Sequence, residues 1–235
     1  MKHTMKKLLL GLIGMSAALC TKAQTVYVQG GLNLANISNN TAGQTSDQNT
    51  LTTFNAGVLA RFGISPIFDL ESGLLFTGHG SKSFTYFTSS TQDNYVKAKF
   101  NPYYVELPLN ALVKFPLAKS AHLFVSAGPY VAIGVGGKSK LESRFGGATT
   151  ESTSTIKFSK DDPTTTAQEG AAYDRLKRFD YGANFGAGID FGSAMIKAGY
   201  GLGLAKINST QTNNNADDKN KYRTWSISVG IPLGK

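Results

Sequence analysis

The stretch Ala121–Gly137 reads AHLFVSAGPYVAIGVGG and carries no Lys, Arg, Asp or Glu across seventeen residues. Such a run could be a membrane helix, a soluble core segment or a strand. Gly128, Pro129, Gly134, Gly136 and Gly137 would damage a helix interior. Read with period two, the pattern resolves. Leu123, Val125, Ala127, Pro129, Val131, Ile133 and Val135 share one face, and Phe124, Ser126, Gly128, Tyr130, Ala132 and Gly134 share the other. One face is wholly apolar while the other is small, polar or aromatic, which is the signature of a β-strand.

Working outward, the same split recurs in seven further segments. They run near 26–34, 54–64, 68–76, 103–115, 180–191, 195–205 and 222–233. In YYVELPLNALVKF, for example, Tyr103, Val105, Leu107, Leu109, Ala111, Val113 and Phe115 alternate with Tyr104, Glu106, Pro108, Asn110, Leu112 and Lys114. The connections alternate in length. Ser65–Pro66, Pro116–Ala121 and Gly192–Ser193 are tight, whereas the segments near 38–50, 78–100, 137–177 and 206–221 are long and polar. Short turns at one end and long loops at the other are the layout of an outer-membrane barrel. An even strand count puts both termini on the short-turn, periplasmic side. A soluble sandwich would alternate in the same way. Strand lengths of about nine to thirteen residues match a bilayer crossing instead. The apolar face also ends in aromatics: Phe54 and Phe62, Phe68 and Phe76, Tyr103 and Phe115, Tyr181 and Phe191, and Trp225. The expected fold is an all-β, eight-stranded, antiparallel up-and-down transmembrane barrel over 24–235.

The opening MKHTMKKLLLGLIGMSAALCTKAQT has Lys2, Lys6 and Lys7, an apolar run from Leu8 to Leu19, and small residues Thr21 and Ala23. This is a secretory signal over residues 1–23, cut before Gln24, and its apolar run is too short to span as a helix. Cleavage removes four lysines and takes the net charge from +9 to +5. It also removes Cys20, the single cysteine, so thiol and disulfide chemistry are not expected. Leu19 stands where a lipoprotein signal would need a small residue. Along the chain no basic stripe with interleaved aromatics is visible, so nucleic acid is not implied.

Polar residues on the non-lipid face are costly in a barrel unless they are paired. Arg61, Glu71, Glu106, Lys114, Asp190 and Lys197 are therefore read as a charge network in the lumen. A tight turn at Ser65–Ile67 would place Ile64 opposite Phe68 and Arg61 opposite Glu71. GVGGKSK at Gly134–Lys140 lacks the spacing of a phosphate loop, and Asp161–Asp162 and Asp217–Asp218 match no calcium loop. No cofactor or metal is expected. STSTIKFS alternates and extends a hairpin above the membrane.

GGLNLANIS after a signal peptide, FNAGVLARFGISPIFDLESGLLF, YYVELPLNALVKF, FVSAGPYVAIGVGGK and YGANFGAGIDFG resemble the PorT-type outer-membrane β-barrel domain of the Bacteroidota. Most specific are Tyr104, Glu106, Pro108 and Leu109, followed by Gly128–Tyr130. The resemblance covers most of the mature chain and implies an eight-stranded barrel in the cell outer membrane. One member of that family assists a protein-secretion system. One departure is the end, SVGIPLGK, where many outer-membrane barrels close on an aromatic.

Three roles follow. The first is a barrel without a catalytic site, embedded in outer-membrane lipid and lipopolysaccharide. Its long surface loops bind a protein partner, or its rim joins secretion machinery. The second is a lipid A-modifying enzyme, because His79 and Ser81 resemble the His-x-Ser pair of lipid A deacylases. His could activate Ser if a carboxylate oriented it. The bland reading, a polar strand exit between glycines, is preferred. The third is a pore, which eight strands disfavour because side chains fill so narrow an interior.

Overall fold

The computed structural model describes residues 24–38, 49–87, 94–159, 175–207 and 220–233. The expected signal segment 1–23 lies outside them, as do Asp161–Asp162 and Asp217–Asp218. Among the described residues there are twelve strands: β1 Gln24–Ser38, β2 Leu51–Ser65, β3 Phe68–Gly78, β4 Ser81–Phe87, β5 Asn94–Pro116, β6 His122–Phe145, β7 Ala148–Thr155, β8 Lys157–Ser159, β9 Arg175–Lys177, β10 Phe179–Asp190, β11 Met195–Gly203 and β12 Lys221–Leu233. Pairing runs β5-β3-β2-β1-β12-β11-β10-β6, and β6 pairs back onto β5. Eight antiparallel strands thus close on themselves, and β1 seals the ring against β12 from Val26 opposite Leu233 to Ser38 opposite Lys221. Closure removes the unpaired edge that would be costly in lipid.

The apolar faces point outward. Leu32, Leu74, Val131, Ile227 and Ile231 each expose more than half of their surface. Aromatics cap this band. Phe54, Phe76 and Tyr103 cluster at 5.3–5.9 Å at the long-loop end, and Tyr200 meets Trp225 at 4.7 Å.

Inside, two apolar layers enclose a polar middle. The layer near the short turns is Tyr27, Leu59, Leu112, Phe124 and Met195, with Leu75 against it. The layer near the long loops holds Ile37, Phe100, Tyr104, Tyr130 and Tyr222, joined by Ile156, Leu176 and Ile207 from the connecting segments. Between them lies a cavity of about 80 Å³ lined by polar side chains, among them Gln29, Asn55, Asn110 and Lys197. It has room for water but none for a passing solute.

Two expectations about strand ends need correction. The turn between β2 and β3 is two residues long, with Ser65 opposite Phe68 and a bulge between Gly63 and Ser65. The bulge absorbs the extra residue, so Arg61 still lies opposite Glu71 but Ile64 does not face Phe68. The segments 78–100 and 137–177 are not simply long loops. β5 and β6 continue past the aromatic cap, paired from Tyr103–Gly136 up to Tyr95–Arg144, and β4 and β7 flank them. This makes a four-stranded sheet above the ring. Gly146 and Gly147, with φ of 59° and 80°, turn β6 into β7 as a two-residue hairpin. Period two persists here, but the outward positions are charged rather than apolar, so a search for apolar alternation passes over them.

Candidate functional site

Two places concentrate polar chemistry. The first is the lumen at the level of the short-turn layer, whose Tyr27 and Phe124 rings flank Arg61. β2 and β3 carry Arg61 and Glu71 inward at directly opposed positions. Arg61 Nε donates to Glu71 Oε2 at 2.8 Å, and its Nη1 donates to Asp190 Oδ2 at 3.0 Å. Lys197 Nζ reaches Glu71 Oε1 at 2.7 Å, and the Tyr27 hydroxyl donates to Asp190 at 2.7 Å. The Arg61 guanidinium also lies 4.8 Å from the Tyr27 ring centre and 4.4 Å from that of Phe124. Four of the six residues read as one network therefore meet: Arg61, Glu71, Asp190 and Lys197. The other two take different partners. Lys114 pairs with Asp69 at 2.7 Å near the short-turn end, and Glu106 accepts from Asn184 Nδ2 at 2.7 Å. The extended network is thus a four-residue cluster and two separate contacts. Parity shows which residues face inward, but it does not show how far apart strands lie around the ring.

His79 sits at the other end of the polar cavity. Its Nδ1 is 3.1 Å from Thr224 Oγ1, and its ring stacks on Tyr222 and meets the edge of Tyr104. It is 4% exposed, and among the described residues no carboxylate is hydrogen-bonded to it. Gly80, with φ of 123°, separates it from Ser81, which opens β4. Among the described residues His79 and Ser81 thus have no carboxylate to orient them. Among the described residues no three His, Cys, Asp or Glu side chains gather as a metal site.

The second place is the outward face of the four-stranded sheet. Register puts Lys82 opposite Lys99, Lys99 opposite Lys140 and Asn101 opposite Lys138. One tier higher, Lys97 pairs with Glu142 at 3.1 Å, and the Tyr95 hydroxyl donates to the same oxygen at 2.7 Å. The Tyr95 hydroxyl and then Lys97 hold the Glu142 carboxyl below its ordinary range, and Glu142 in turn raises Lys97. Phe84, Tyr86 and Tyr95 pack together beside them. No basic stripe with aromatics is visible along the chain, yet three strands, β4, β5 and β6, assemble one. Sequence reading also missed the strap that roofs the barrel. Ile156 and Phe158, from the Ser/Thr-rich STSTIKFS, turn inward onto Tyr104 and its neighbours. Two large apolar residues two apart in a polar run were the available signal.

The family model described as outer membrane protein beta-barrel domain matches residues 22–209. No curated protein matches the chain. Among solved structures, Ail of Yersinia pestis in complex with the heparin analogue sucrose octasulfate is 14% identical, with 90% of this chain and 100% of Ail covered and a TM-score of 0.41. Neisserial surface protein A is 13% identical, over 90% and 100%, at 0.40. The translocator domain of the autotransporter NalP from Neisseria meningitidis is 13% identical, over 99% and 96%, at 0.26.

Proposed function

The chain belongs to the outer membrane protein beta-barrel domain family, and on that footing we propose that it is a sealed, non-catalytic barrel whose raised sheet is its working surface outside the cell. The observation that carries this reading is the contrast between its two ends. The short-turn end closes in the tight connections between β2 and β3, β5 and β6, and β10 and β11, while at the other end β4 to β7 continue as ordered, charged sheet above the aromatic cap. A barrel that served only to fill lipid would need no such extension. A role accessory to protein secretion, as in one member of the PorT-type family that the sequence resembles, is the narrower form of this reading: the sheet or its rim would meet another component of an assembly.

The enzyme reading rests on His79 and Ser81. Burial of the imidazole behind Tyr104 and Tyr222 and the missing carboxylate speak against it. A deacylase nucleophile must also meet acyl chains, which lie outside the barrel rather than in its lumen.

The test uses a variant in which 82–99 and 139–154 are each replaced by a short Asn-Gly turn, with migration on unheated gels confirming a closed barrel. Surface crosslinking of wild-type cells should give adducts that this variant lacks, and lipid A mass profiles should be the same with and without the gene. A lipid A mass change on gene loss, reproduced by His79→Ala, would replace the binding reading with the enzymatic one.

A further inference from the structure

Above the Phe54–Phe76–Tyr103 cap, the outer face of the sheet carries a row of three lysines on adjacent strands, Lys82, Lys99 and Lys140. Lys138 joins the row from one tier below. All four are exposed, and among the described residues none has an ion-pair partner. Directly opposed like charges repel and weaken a sheet. The tier above relieves this with Glu142, but the lysine row has no such relief.

A bulge puts half of this row where it is. Gly136 lies opposite Tyr103 and Gly134 opposite Tyr104, so Val135 is an extra residue in β6. Below it the even-numbered residues Tyr130 and Ala132 face the lumen and are buried. Above it the even-numbered Lys138 and Lys140 share the outward face with Asn101 and Lys99. Asn101 Nδ2 donates to the Tyr103 hydroxyl, which ties that face to the aromatic cap. Bulges commonly re-aim side chains in this way. Without it Lys138 and Lys140 would turn inward.

Height is the second consideration. Lys99 is four residues beyond Tyr103 on β5, about 13 Å along the strand and about 10 Å along the membrane normal at the usual tilt. Flexible lysine stems can swing down toward the polar layer that begins at the cap. Beneath the row the same strands present Leu107, Val105, Ile133 and Val135 to acyl chains. One continuous surface therefore offers an apolar wall with four ammonium groups at its top.

We propose that Lys82, Lys99, Lys138 and Lys140 bind the phosphate groups of a phosphorylated outer-leaflet glycolipid of the lipid A type, whose acyl chains lie along the apolar wall below. Ammonium groups are good point-charge ligands for phosphate, and a bridging anion relieves their mutual repulsion. Continuity with the lipid-facing band favours a membrane lipid over a soluble anion. The inference rests on the reading of the raised sheet as a surface outside the cell. Its failure would be separable, because crosslinked protein adducts do not depend on lipid phosphate.

The test reconstitutes the barrel in phosphatidylcholine nanodiscs doped with phosphorylated or dephosphorylated lipid A and counts retained glycolipid by native mass spectrometry. Wild type should retain the phosphorylated form at least about tenfold over the dephosphorylated one, a preference that needs only about 1.4 kcal/mol from the four lysines together. Combined K82Q, K99Q, K138Q and K140Q should abolish that preference, while Lys119→Gln at the short-turn end leaves it unchanged. Equal retention of the two lipids by wild type would overturn the proposal, and that comparison stands even if the quadruple variant does not assemble. It would also be overturned if the quadruple variant kept the preference. Loss of only inorganic phosphate or soluble sulfated polysaccharide binding in that variant, with lipid A retention intact, would equally exclude a lipid site.

Discussion

Arg61 shows how one residue organises the lumen. Its guanidinium is 4% exposed and lies near two aromatic rings while binding two carboxylates from different strands. Glu71, at 0% exposure, divides its oxygens between Arg61 and Lys197. Removing one member strands a charge in a place where water is scarce. Such losses run to about 3–5 kcal/mol, mostly from the abandoned partner rather than from the bond itself. Arg61→Ala and Glu71→Ala are each expected to lower unfolding stability by about that much in liposome-based urea titrations. The double variant should lose less than the sum, because each deletion already leaves the other residue unsatisfied. Arg61→Lys should not restore stability, since one ammonium cannot fork between Glu71 and Asp190. Additive losses in the cycle would show that the two side chains act independently.

At the scale of elements, the strap formed by β8 and β9 is held by few, specific contacts. These short strands pair in parallel, Ile156 N donates to Gly137 O, and Gly134 N donates to Arg178 O. Phe158 lies directly on Gly134, where any Cβ would strike its ring. The glycine is thus a seat, and its missing side chain lets the strap close over Tyr104. Gly134→Leu is expected to push Phe158 out and speed proteolysis between β7 and β10. Hydrogen exchange in the eight ring strands should stay slow, because their pairing does not pass through the strap. Faster exchange throughout the ring would mean that the roof and the barrel unfold together.

For the whole molecule, the consequence of closure is a sealed cylinder. Two apolar layers block the lumen on either side of the polar middle. Planar bilayers containing the protein should show no steady conductance. Tyr104→Ala with Tyr222→Ala should not open a path, because Leu59, Leu112, Phe124 and Met195 still close the other end. Current from wild type would show that the layers open in the membrane, and current from the double variant alone would show that the lower layer does not seal.

Period-two alternation in the chain is enough to say which residues face lipid and which face inward, because a strand's side chains alternate whatever surrounds it. Tyr103 and Tyr104, or Val131 and Tyr130, are sorted by parity alone. Alternation of short and long connections is enough for the strand order of a meander. Its limit is the ladder itself. Bulges at Gly63–Ser65 and at Val135 change parity or register without a distinctive local composition. Who meets whom across the lumen depends on the curvature of the closed ring, so Lys114 finds Asp69 while Lys197 finds Glu71. The basic face is invisible in the linear chain for the same reason: Lys82, Lys99 and Lys140 are far apart along it, and only hydrogen-bonded pairing of β4, β5 and β6 lays them side by side.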